Sequence, residues 1–361
     1  MEDFIHTLNA VIWSPALVAF CLGAGLFFSI KSRFVQLRLI PEMWRLLFQK
    51  KEDEIGLSSF QALSLTLAGR VGTGNIAGVA TAICFGGPGA LFWMWVVAFL
   101  GASSAFVEST LGQIYKERIE GQYRGGPAFY IERGLKLKAY AWAFAIVTIL
   151  ASCFFCPGVQ SNSIALAWNE AFGLDAEVTA AIVASITCFV IVGGLRRIAT
   201  FTSWVVPFMA QAYIVVALII VGVNWEQIPA VMTLIVNSAF GFDSLTGGML
   251  GAAIAWGVKR GIYSNEAGQG TGPHASSAAA VSHPAKQGLV QAFSVYIDTL
   301  FVCSATGFMI LMTGCYNMQA PDGSMIFEGL KGVEAGPVYT QAAIDQLMPG
   351  WGGPFIAITI F

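Results

Sequence analysis

Residues Ala68–Gly78 read AGRVGTGNIAG and place Gly72 and Gly74 around Thr73 near the middle of an apolar run. In hydrocarbon every backbone polar group needs a partner within the protein, so irregular backbone is tolerated there only where it is buried or lines a cavity. Glycine lets the backbone leave helical geometry and lets a ligand approach closely. Unwinding here would free N–H groups suited to a carboxylate and carbonyls suited to Na⁺. The stretch predicts an interrupted membrane helix that binds an ionic solute; close packing through small residues is the alternative.

The composition indicates that lipid is the solvent for this chain. Of its 361 residues, 56% are hydrophobic and 11% are charged, whereas a soluble domain carries about 25% charged residues. Runs long enough to cross a bilayer, about 20 residues, lie at 11–30, 60–85, 88–115, 139–168, 178–195, 200–224, 242–258 and 289–316, and a ninth begins near 350. They are too long for barrel strands and do not alternate in polarity. We therefore predict an all-α polytopic membrane protein.

Charge in the loops predicts the orientation. Assigning loops alternately to two sides places nearly all of the 19 Lys and Arg residues on one side, in the loops 31–59, 116–138, 196–199 and 259–288. Cytoplasmic loops carry the Lys/Arg excess, so we expect the N-terminus outside, in the plasma membrane of a bacterium or archaeon. We expect 34–48 to lie along the cytoplasmic interface, 228–240 to dip into an external vestibule, and 271–286 to be a small polar loop.

A second interrupted span is expected in the matching position of an inverted repeat. The seventh span supplies a glycine-dense stretch, Gly247–Gly257, followed by Ser264–Gly268 (SNEAG). Spans two and seven are five apart and run in opposite directions. We therefore predict one membrane domain over 1–361, with an extra N-terminal span at 11–30, a first five-helix repeat at 60–224 and an inverted, partial second repeat at 242–361.

Three long strings resemble the alanine or glycine:cation symporter family, also called sodium:alanine symporters: Gly69–Ala82, Gly86–Ala90 with Phe92–Trp95, and Gly257–Gly268. The resemblance implies a fold like that of the neurotransmitter:sodium symporters, with one extra N-terminal helix before a five-plus-five core. It implies uptake of a small neutral amino acid, alanine or glycine, with a cation by alternating access. The ninth span stops at Phe361, so the core is expected to be C-terminally incomplete.

The resemblance also implies a site. Gly72, Thr73 and Gly74 would bind the substrate carboxylate, and the carbonyls of Ala68 and Val71 would face Na⁺, with H⁺ as the alternative and no organic cofactor. Asn75 would offer an oxygen to a cation or cap the second half-helix.

Two further residues are candidates for the substrate pocket. Gln160, after Pro157-Gly158, would donate to the substrate or bond a neighbouring helix. Trp256 would close the pocket or pack in the core.

Charged residues inside spans are costly and usually paired or functional. Arg70, Glu108 and Asp298 are such residues, and we hypothesise that Arg70 pairs with one of the two acids as a gate or coupling element. The family commonly has a lysine before the acid in the third span, and Ser103–Glu108 (SSAFVE) lacks it, so no role for Glu108 follows from the resemblance. Glu266 is expected to anchor a loop.

Two other classes of function are weaker. An intramembrane enzyme using Glu266, His274 or His283 lacks a paired nucleophile–base pattern, and the three histidines show no metal-ligand spacing. A passive channel differs from a symporter in that it cannot accumulate solute against a gradient. The expected partners are a small amino-acid substrate and the lipid bilayer; no nucleic acid or protein partner is implied.

Overall fold

Helices dominate the computed structural model, which describes residues 7, 9, 11–49, 51–242 and 249–361. In the first half of the chain the helices are α1 Pro15–Lys31, α2 Val35–Arg38, α3 Ile40–Leu47, α4 Ser59–Arg70, α5 Thr73–Gly86, α6 Gly89–Ile114, α7 Pro127–Gly134, α8 Lys138–Leu150 and α9 Cys156–Phe172. A π-helical turn, Ala151–Phe155, joins α8 to α9 without a break.

The second half continues in the same way. Its helices are α10 Ala176–Ile191, α11 Gly194–Val223, α12 Ile228–Phe240, α13 Leu250–Asn265, α14 Gly272–Ser277, α15 Pro284–Val295, α16 Ser304–Thr313, α17 Pro337–Asp345 and α18 Gly352–Ile360. A 3-10 turn, Trp225–Gln227, precedes α12, and a π-helical segment, Tyr296–Cys303, joins α15 to α16.

The strands are confined to two short antiparallel hairpins in the connections between helices. β1 (Glu117–Ile119) pairs with β2 (Gln122–Arg124), and β3 (Asn317–Gln319) pairs with β4 (Met325–Glu328). Within the described ranges no larger sheet forms. The prediction of an all-helical fold is therefore confirmed for the apolar runs.

Four continuous helical stretches are long and apolar enough to cross a bilayer: Gly89–Ile114, Lys138–Phe172, Gly194–Val223 and Pro284–Thr313. Shorter apolar helices are Pro15–Lys31, Thr73–Gly86 and Ala176–Ile191. Each coincides with a predicted span or half-span, because a run of about 20 apolar residues has no other way to satisfy its backbone in lipid.

The structure corrects the sequence analysis around span seven. In the described residues the helix runs over Leu250–Asn265, past the predicted end at 258, and it is continuous through Gly251 and Gly257. The break predicted in the stretch Gly247–Gly257 is therefore wrong for residues 250–257. Gly247 and Gly248 lie outside the described residues. The expected loop 271–286 contains the short helix α14.

Two other segments are helical. Residues 228–240 form α12, which packs against α6. Residues 34–48 contain α2 and α3.

Gly257 serves helix packing. A methyl group built on Gly257 would lie 2.5 Å from Trp93 Cβ and 2.6 Å from the Ala90 carbonyl oxygen, both on α6. Gly86 makes a similar approach, at 2.9 Å from Trp256 Cβ. Small residues at such crossings let two backbones come close, which is the main source of attraction between helices in lipid.

The substitution Gly257→Ala is expected to destabilise the protein by about 1–3 kcal/mol, because an added methyl in a packed interface forces backbone shifts. The midpoint of thermal unfolding in detergent measures this. Gly251→Ala is the matched control, since Gly251 lies on the same helix and no atom of the described residues is within 4 Å of its built methyl. Equal midpoints for both variants would contradict tight packing at Gly257.

The polar connection after α14 is held by the end of α6. The Gln113 side-chain amide donates to the carbonyls of Ser276 and, at 3.0 Å, of Ala279. Lys116 Nζ donates to the same Ala279 carbonyl at 2.7 Å and lies 4.2 Å from the centre of the Tyr123 ring. Burial lowers the pKa of Lys116 to about 8. These contacts fix α14 beside α4 and α6.

Candidate functional site

The helix of span two is interrupted, as predicted. α4 ends at Arg70, Val71 is extended with φ −79° and ψ 115°, and α5 begins at Thr73. The side-chain oxygen of Asn75 accepts a hydrogen bond from the Gly72 backbone N–H at 2.8 Å and so caps the second half-helix. The break therefore lies at Val71 and Gly72, and the continuous packed helix is excluded.

Asn75 caps the second half-helix. Its oxygen is used by Gly72, and its NH₂ group donates to the Asp298 carboxylate at 2.7 Å and to the Asp298 backbone carbonyl at 3.1 Å. The group that faces Asp298 is a donor, which repels a cation. The contact with Gly72 is the capping contact that the sequence analysis offered, and the cation-binding role of Asn75 stays a prediction.

A second interruption follows α13, beyond the glycine-dense stretch. Glu266 adopts a left-handed conformation with φ 52°, Gly268 and Gly270 have φ values of 85° and 88°, and α14 begins at Gly272. The Gly268 and Gly270 N–H groups donate to the Glu108 carboxylate at 3.2 and 3.0 Å. Glu108 thus satisfies backbone groups that the break leaves free, a role that the sequence did not indicate.

The two interruptions lie side by side. A methyl built on Gly69 would be 3.8 Å from Glu266 Oε2, and one built on Gly74 would be 3.0 Å from Ser264 Cα. Glu266 itself accepts a hydrogen bond from the Thr271 hydroxyl at 2.6 Å, as expected for an anchor of this loop. The residues that flank the two interruptions are therefore close neighbours.

A cavity of about 920 Å³ opens beside the first interruption. Four of the predicted site residues line it: Ala68, Val71, Gly72 and Gln160. Glu266 and Thr271 from the second interruption line it too, and so does Thr359 of α18, which the sequence analysis did not single out. A cavity of this size is ample for a small amino acid.

Gln160, which lines the cavity, is hydrogen-bonded to Thr73. The Thr73 hydroxyl donates to Gln160 Oε1 at 2.9 Å, and a methyl built on Gly72 would lie 3.7 Å from the same oxygen. Gln160 is part-buried on α9, just after the π-helical turn and Pro157. Its oxygen is engaged, which leaves the amide NH₂ as the group able to donate into the cavity.

Trp256 is placed elsewhere. Its ring stacks on Phe85 with centroids 5.0 Å apart, and Lys259 Nζ lies 4.8 Å from its centre. This is the Gly86 end of α5, and Trp256 does not line the cavity at Gly72. The structure therefore favours the packed-core alternative for Trp256.

Arg70 is buried, at 2% exposure, between the two interruptions. Its Nη1 donates to the Ser294 hydroxyl. The charges acting on it are those of Glu266, Glu108 and Asp298, but among the described residues none of these carboxylates makes an ion pair with it within 4.0 Å. Arg70 thus makes no ion pair within 4.0 Å among the described residues, but both predicted acids act on its charge, and the pairing of Arg70 with one of them stays a prediction.

Gly272 occupies the space between the guanidinium and Glu108. A methyl built there would lie 3.2 Å from Arg70 Nη2 and 3.6 Å from Glu108 Oε1. Within the described part of the chain, Arg70 Nε and Nη2 are buried without a hydrogen-bond partner. Because Gly272 has no side chain, no side chain of this residue separates the Arg70 guanidinium from the Glu108 carboxylate.

Asp298 lies fully buried in the π-helical segment. Its carboxylate accepts hydrogen bonds from three side chains: Asn75 at 2.7 Å, Ser264 at 3.0 Å and Thr299 at 2.8 Å. Ser264 and Thr299 were not predicted as site residues. The available signal was confined to Thr299, a hydroxyl residue directly after the charged Asp298 within a span.

No transition-metal site is found: in the described ranges no group of three or more His, Cys, Asp or Glu side chains is placed to hold a metal ion. His274 Nδ1 instead lies 3.2 Å from the Gly125 carbonyl.

Comparison with known proteins identifies the family. A family model described as "Sodium:alanine symporter family" matches residues 1–361. The chain belongs to the sodium:alanine symporter family. This is a family of transporters and not of enzymes, so the intramembrane enzyme considered above is set aside.

Three relatives illustrate the similarity. YrbD of Bacillus subtilis (strain 168), whose name provisionally describes a sodium/proton-dependent alanine carrier, is 61% identical over 361 residues, covering 100% of this chain and 75% of YrbD. The sodium/proton-dependent alanine carrier protein of Bacillus sp. (strain PS3) is 50% identical, covering 88% of this chain and 72% of that protein. The sodium/alanine symporter AgcS of Methanococcus maripaludis is 39% identical, covering 99% of this chain and 78% of AgcS.

Proposed function

We propose that this chain carries alanine across a membrane together with a cation, by alternating access around the two helix interruptions. The observation that carries this proposal is the position of the two interruptions, which lie side by side at one cavity. Family membership and the alanine carriers among the relatives support the same substrate and the use of a coupling cation.

The substrate carboxylate would bind at the beginning of α5. The first N–H groups of a helix have no partner within the helix and carry partial positive charge. Asn75 takes the Gly72 N–H, so the groups left for the carboxylate are the N–H groups of Thr73 and Gly74, with the Gln160 NH₂ beside them. Gly72 places the backbone beside Gln160, because a methyl built on Gly72 would lie 3.7 Å from Gln160 Oε1.

The cation would bind at the end of α4. The last carbonyls of a helix lack intrahelical partners, and Ala68 and Val71 both line the cavity. Oxygen ligands of this kind suit Na⁺, and a bound cation would also offset the charge of a nearby substrate carboxylate. No organic cofactor is needed for this transport.

The predicted architecture completes the proposal. The first interruption lies within the second span and the second one follows the helix of the seventh span. This arrangement supports inverted repeats over 60–224 and 242–361, with an extra span at 11–30, in one membrane domain over 1–361. Rocking of one repeat against the other would open the cavity to either side. The charge pattern of the loops supports a plasma-membrane protein with its N-terminus outside.

Uptake of radiolabelled alanine into liposomes containing the protein tests the proposal. An Na⁺ gradient and an H⁺ gradient are imposed in separate experiments, and alanine is expected to accumulate above its external concentration. Unlabelled alanine and glycine are then compared as competitors of the labelled alanine. Equilibration without accumulation under either gradient would indicate a passive channel and contradict symport.

A further inference from the structure

The Asp298 carboxylate lies at the meeting point of the two halves of the site. Asn75 comes from α5, directly after the first interruption, and Ser264 comes from the end of α13, directly before the second. Thr299 follows Asp298 on the π-helical segment. Asp298 and Thr299 are both 0% exposed. π-Helical segments are rare and are frequently found at functional sites.

This carboxylate has no direct counter-ion. In the described ranges no Lys, Arg or His nitrogen lies within 4.0 Å of it. An ionised carboxylate removed from water is costly unless it is paired, hydrogen-bonded or neutralised. The hydrogen bonds from Asn75, Ser264 and Thr299 stabilise the ionised form, so both charge states are accessible: the ionised one through these donors, the neutral one by uptake of a proton.

The donor set suits a proton better than Na⁺. A bound Na⁺ needs oxygen lone pairs directed at it, but the Asn75 NH₂ group points into the cluster, held there by the Asn75 oxygen on the Gly72 N–H. The Cys303 sulfur, 3.2 Å from the same NH₂ group, is also a poor ligand for a hard cation. By contrast, a proton on Oδ2 would meet the hydroxyls of Ser264 and Thr299, which can turn from donors into acceptors.

Asn75 connects Asp298 to the substrate site. The Asn75 NH₂ group donates to the carboxylate, and the Asn75 oxygen accepts from the Gly72 N–H. Gly72 is followed by Thr73, which hydrogen-bonds Gln160. Hydrogen bonds to an ionised carboxylate are roughly twice as strong as those to a neutral group. Protonation of Asp298 would therefore weaken the bond that holds Asn75, and so release the cap at the first interruption.

From this geometry we propose that Asp298 is the group that binds and releases a co-transported proton, and that Asn75 transmits its charge state to the substrate site. The inference rests on the proposed function and extends it to the coupling ion. The proton adds to Oδ2 from one side of the membrane when the cavity opens there, and leaves from the same atom after the carrier opens to the other side.

The elements that pack near the Tyr296–Cys303 segment carry other titratable groups. Arg70 of α4 attracts its charge, and Cys303 lies in the cluster on its own segment. Glu108 of α6 and Glu266 after α13 share the charge of Arg70 with it. Tyr213 of α11 hydrogen-bonds Thr306, Cys84 of α5 lies 3.9 Å from the Tyr339 hydroxyl, and Lys286 of α15 bonds Ser282. Of these, Arg70 is the cation that modulates the proton site.

The test compares alanine-coupled proton entry in the wild type and Asp298→Asn. The protein is reconstituted into liposomes that contain a pH-sensitive dye, and alanine is added outside. The wild type is expected to acidify the interior and to bind alanine more tightly as pH falls from 8 to 5. Asp298→Asn is expected to reduce alanine-coupled acidification at least ten-fold and to make alanine binding independent of pH. Asp322→Asn is the matched control, because it is the same substitution at an exposed carboxylate in the β3–β4 connection, and it should keep the wild-type pH dependence.

A second variant covers the case in which Asp298→Asn does not fold. Thr299→Val removes one donor from the ionised carboxylate while keeping the side-chain shape, so the midpoint of the pH dependence of alanine binding is expected to move to higher pH. An unchanged midpoint would count against the inference.

Three results would overturn the inference about Asp298. Wild-type alanine uptake driven by Na⁺ without any proton movement would refute the inference and leave the proposed function standing, whereas absence of alanine uptake in the wild type would refute the proposed function. Normal acidification by Asp298→Asn would show that another group carries the proton. If Asp298→Asn abolished the stimulation of alanine uptake by Na⁺ but kept acidification, Asp298 would be part of an Na⁺ site.

Discussion

Replacement of Arg70 by methionine is expected to remove most of the folded protein from the membrane at neutral pH. Arg70 is buried at 2% exposure, and its charge acts on Glu108, Glu266 and Asp298. Without it these acids must bear uncompensated charge or take up protons, and leaving a buried charge without its partner costs about 3–5 kcal/mol. The amount of monodisperse protein after detergent extraction, and its unfolding midpoint at pH 5 and pH 8, measure the effect.

The pH comparison and a second substitution identify the cause. The loss of stability should be smaller at pH 5 than at pH 8, because protons neutralise the carboxylates at the lower pH. The double variant Arg70→Met with Glu108→Gln should recover part of the folded protein, since it removes one of the charges that Arg70 opposes. A double variant no more stable than Arg70→Met at both pH values would show that the guanidinium acts through packing and not through charge.

Replacement of Gln160 by leucine is expected to raise the alanine concentration for half-maximal uptake by roughly ten- to hundred-fold. Leucine keeps much of the side-chain volume but removes the NH₂ group available to the substrate and the oxygen that accepts from Thr73 at 2.9 Å. A hydrogen bond to a charged group contributes about 1.5–3 kcal/mol. Initial rates of radiolabelled alanine uptake across a concentration series measure the change.

Ser161→Ala provides the matched control for Gln160. Ser161 is the next residue on α9 and lines the same cavity, but its hydroxyl bonds the Pro157 carbonyl of its own helix at 2.8 Å. We expect its half-saturating concentration to stay near that of the wild type. If Gln160→Leu also left this value unchanged, Gln160 would be a bridge between helices and not part of the substrate site.

The first interruption could be predicted from sequence because its cause is local. Gly72 precedes Thr73 and Gly74 in an apolar run, and Asn75, which caps the new half-helix, stands three residues after Gly72. The long apolar helices were predictable for a similar reason, since hydrocarbon leaves their backbone no other partner.

The second interruption could not be predicted, because distant residues determine it. Gly257 suggested a break but lets α13 pack closely on α6, whereas the real break at Glu266 is stabilised by the Glu108 carboxylate, which is far away in sequence. The same limit explains Trp256 and Arg70. Residue type showed that each was notable, but its partners depend on how the helices cross.

The π-helical segment Tyr296–Cys303 sets the angular phase between the two ends of a 30-residue helix, Pro284–Thr313. In an α-helix each residue advances the side-chain direction by about 100°, and a π turn holds more residues per turn, so the faces before and after it are offset. Asp298 lies within this wider turn, so the direction of its side chain is set by the offset and not by the regular step of the flanking helices.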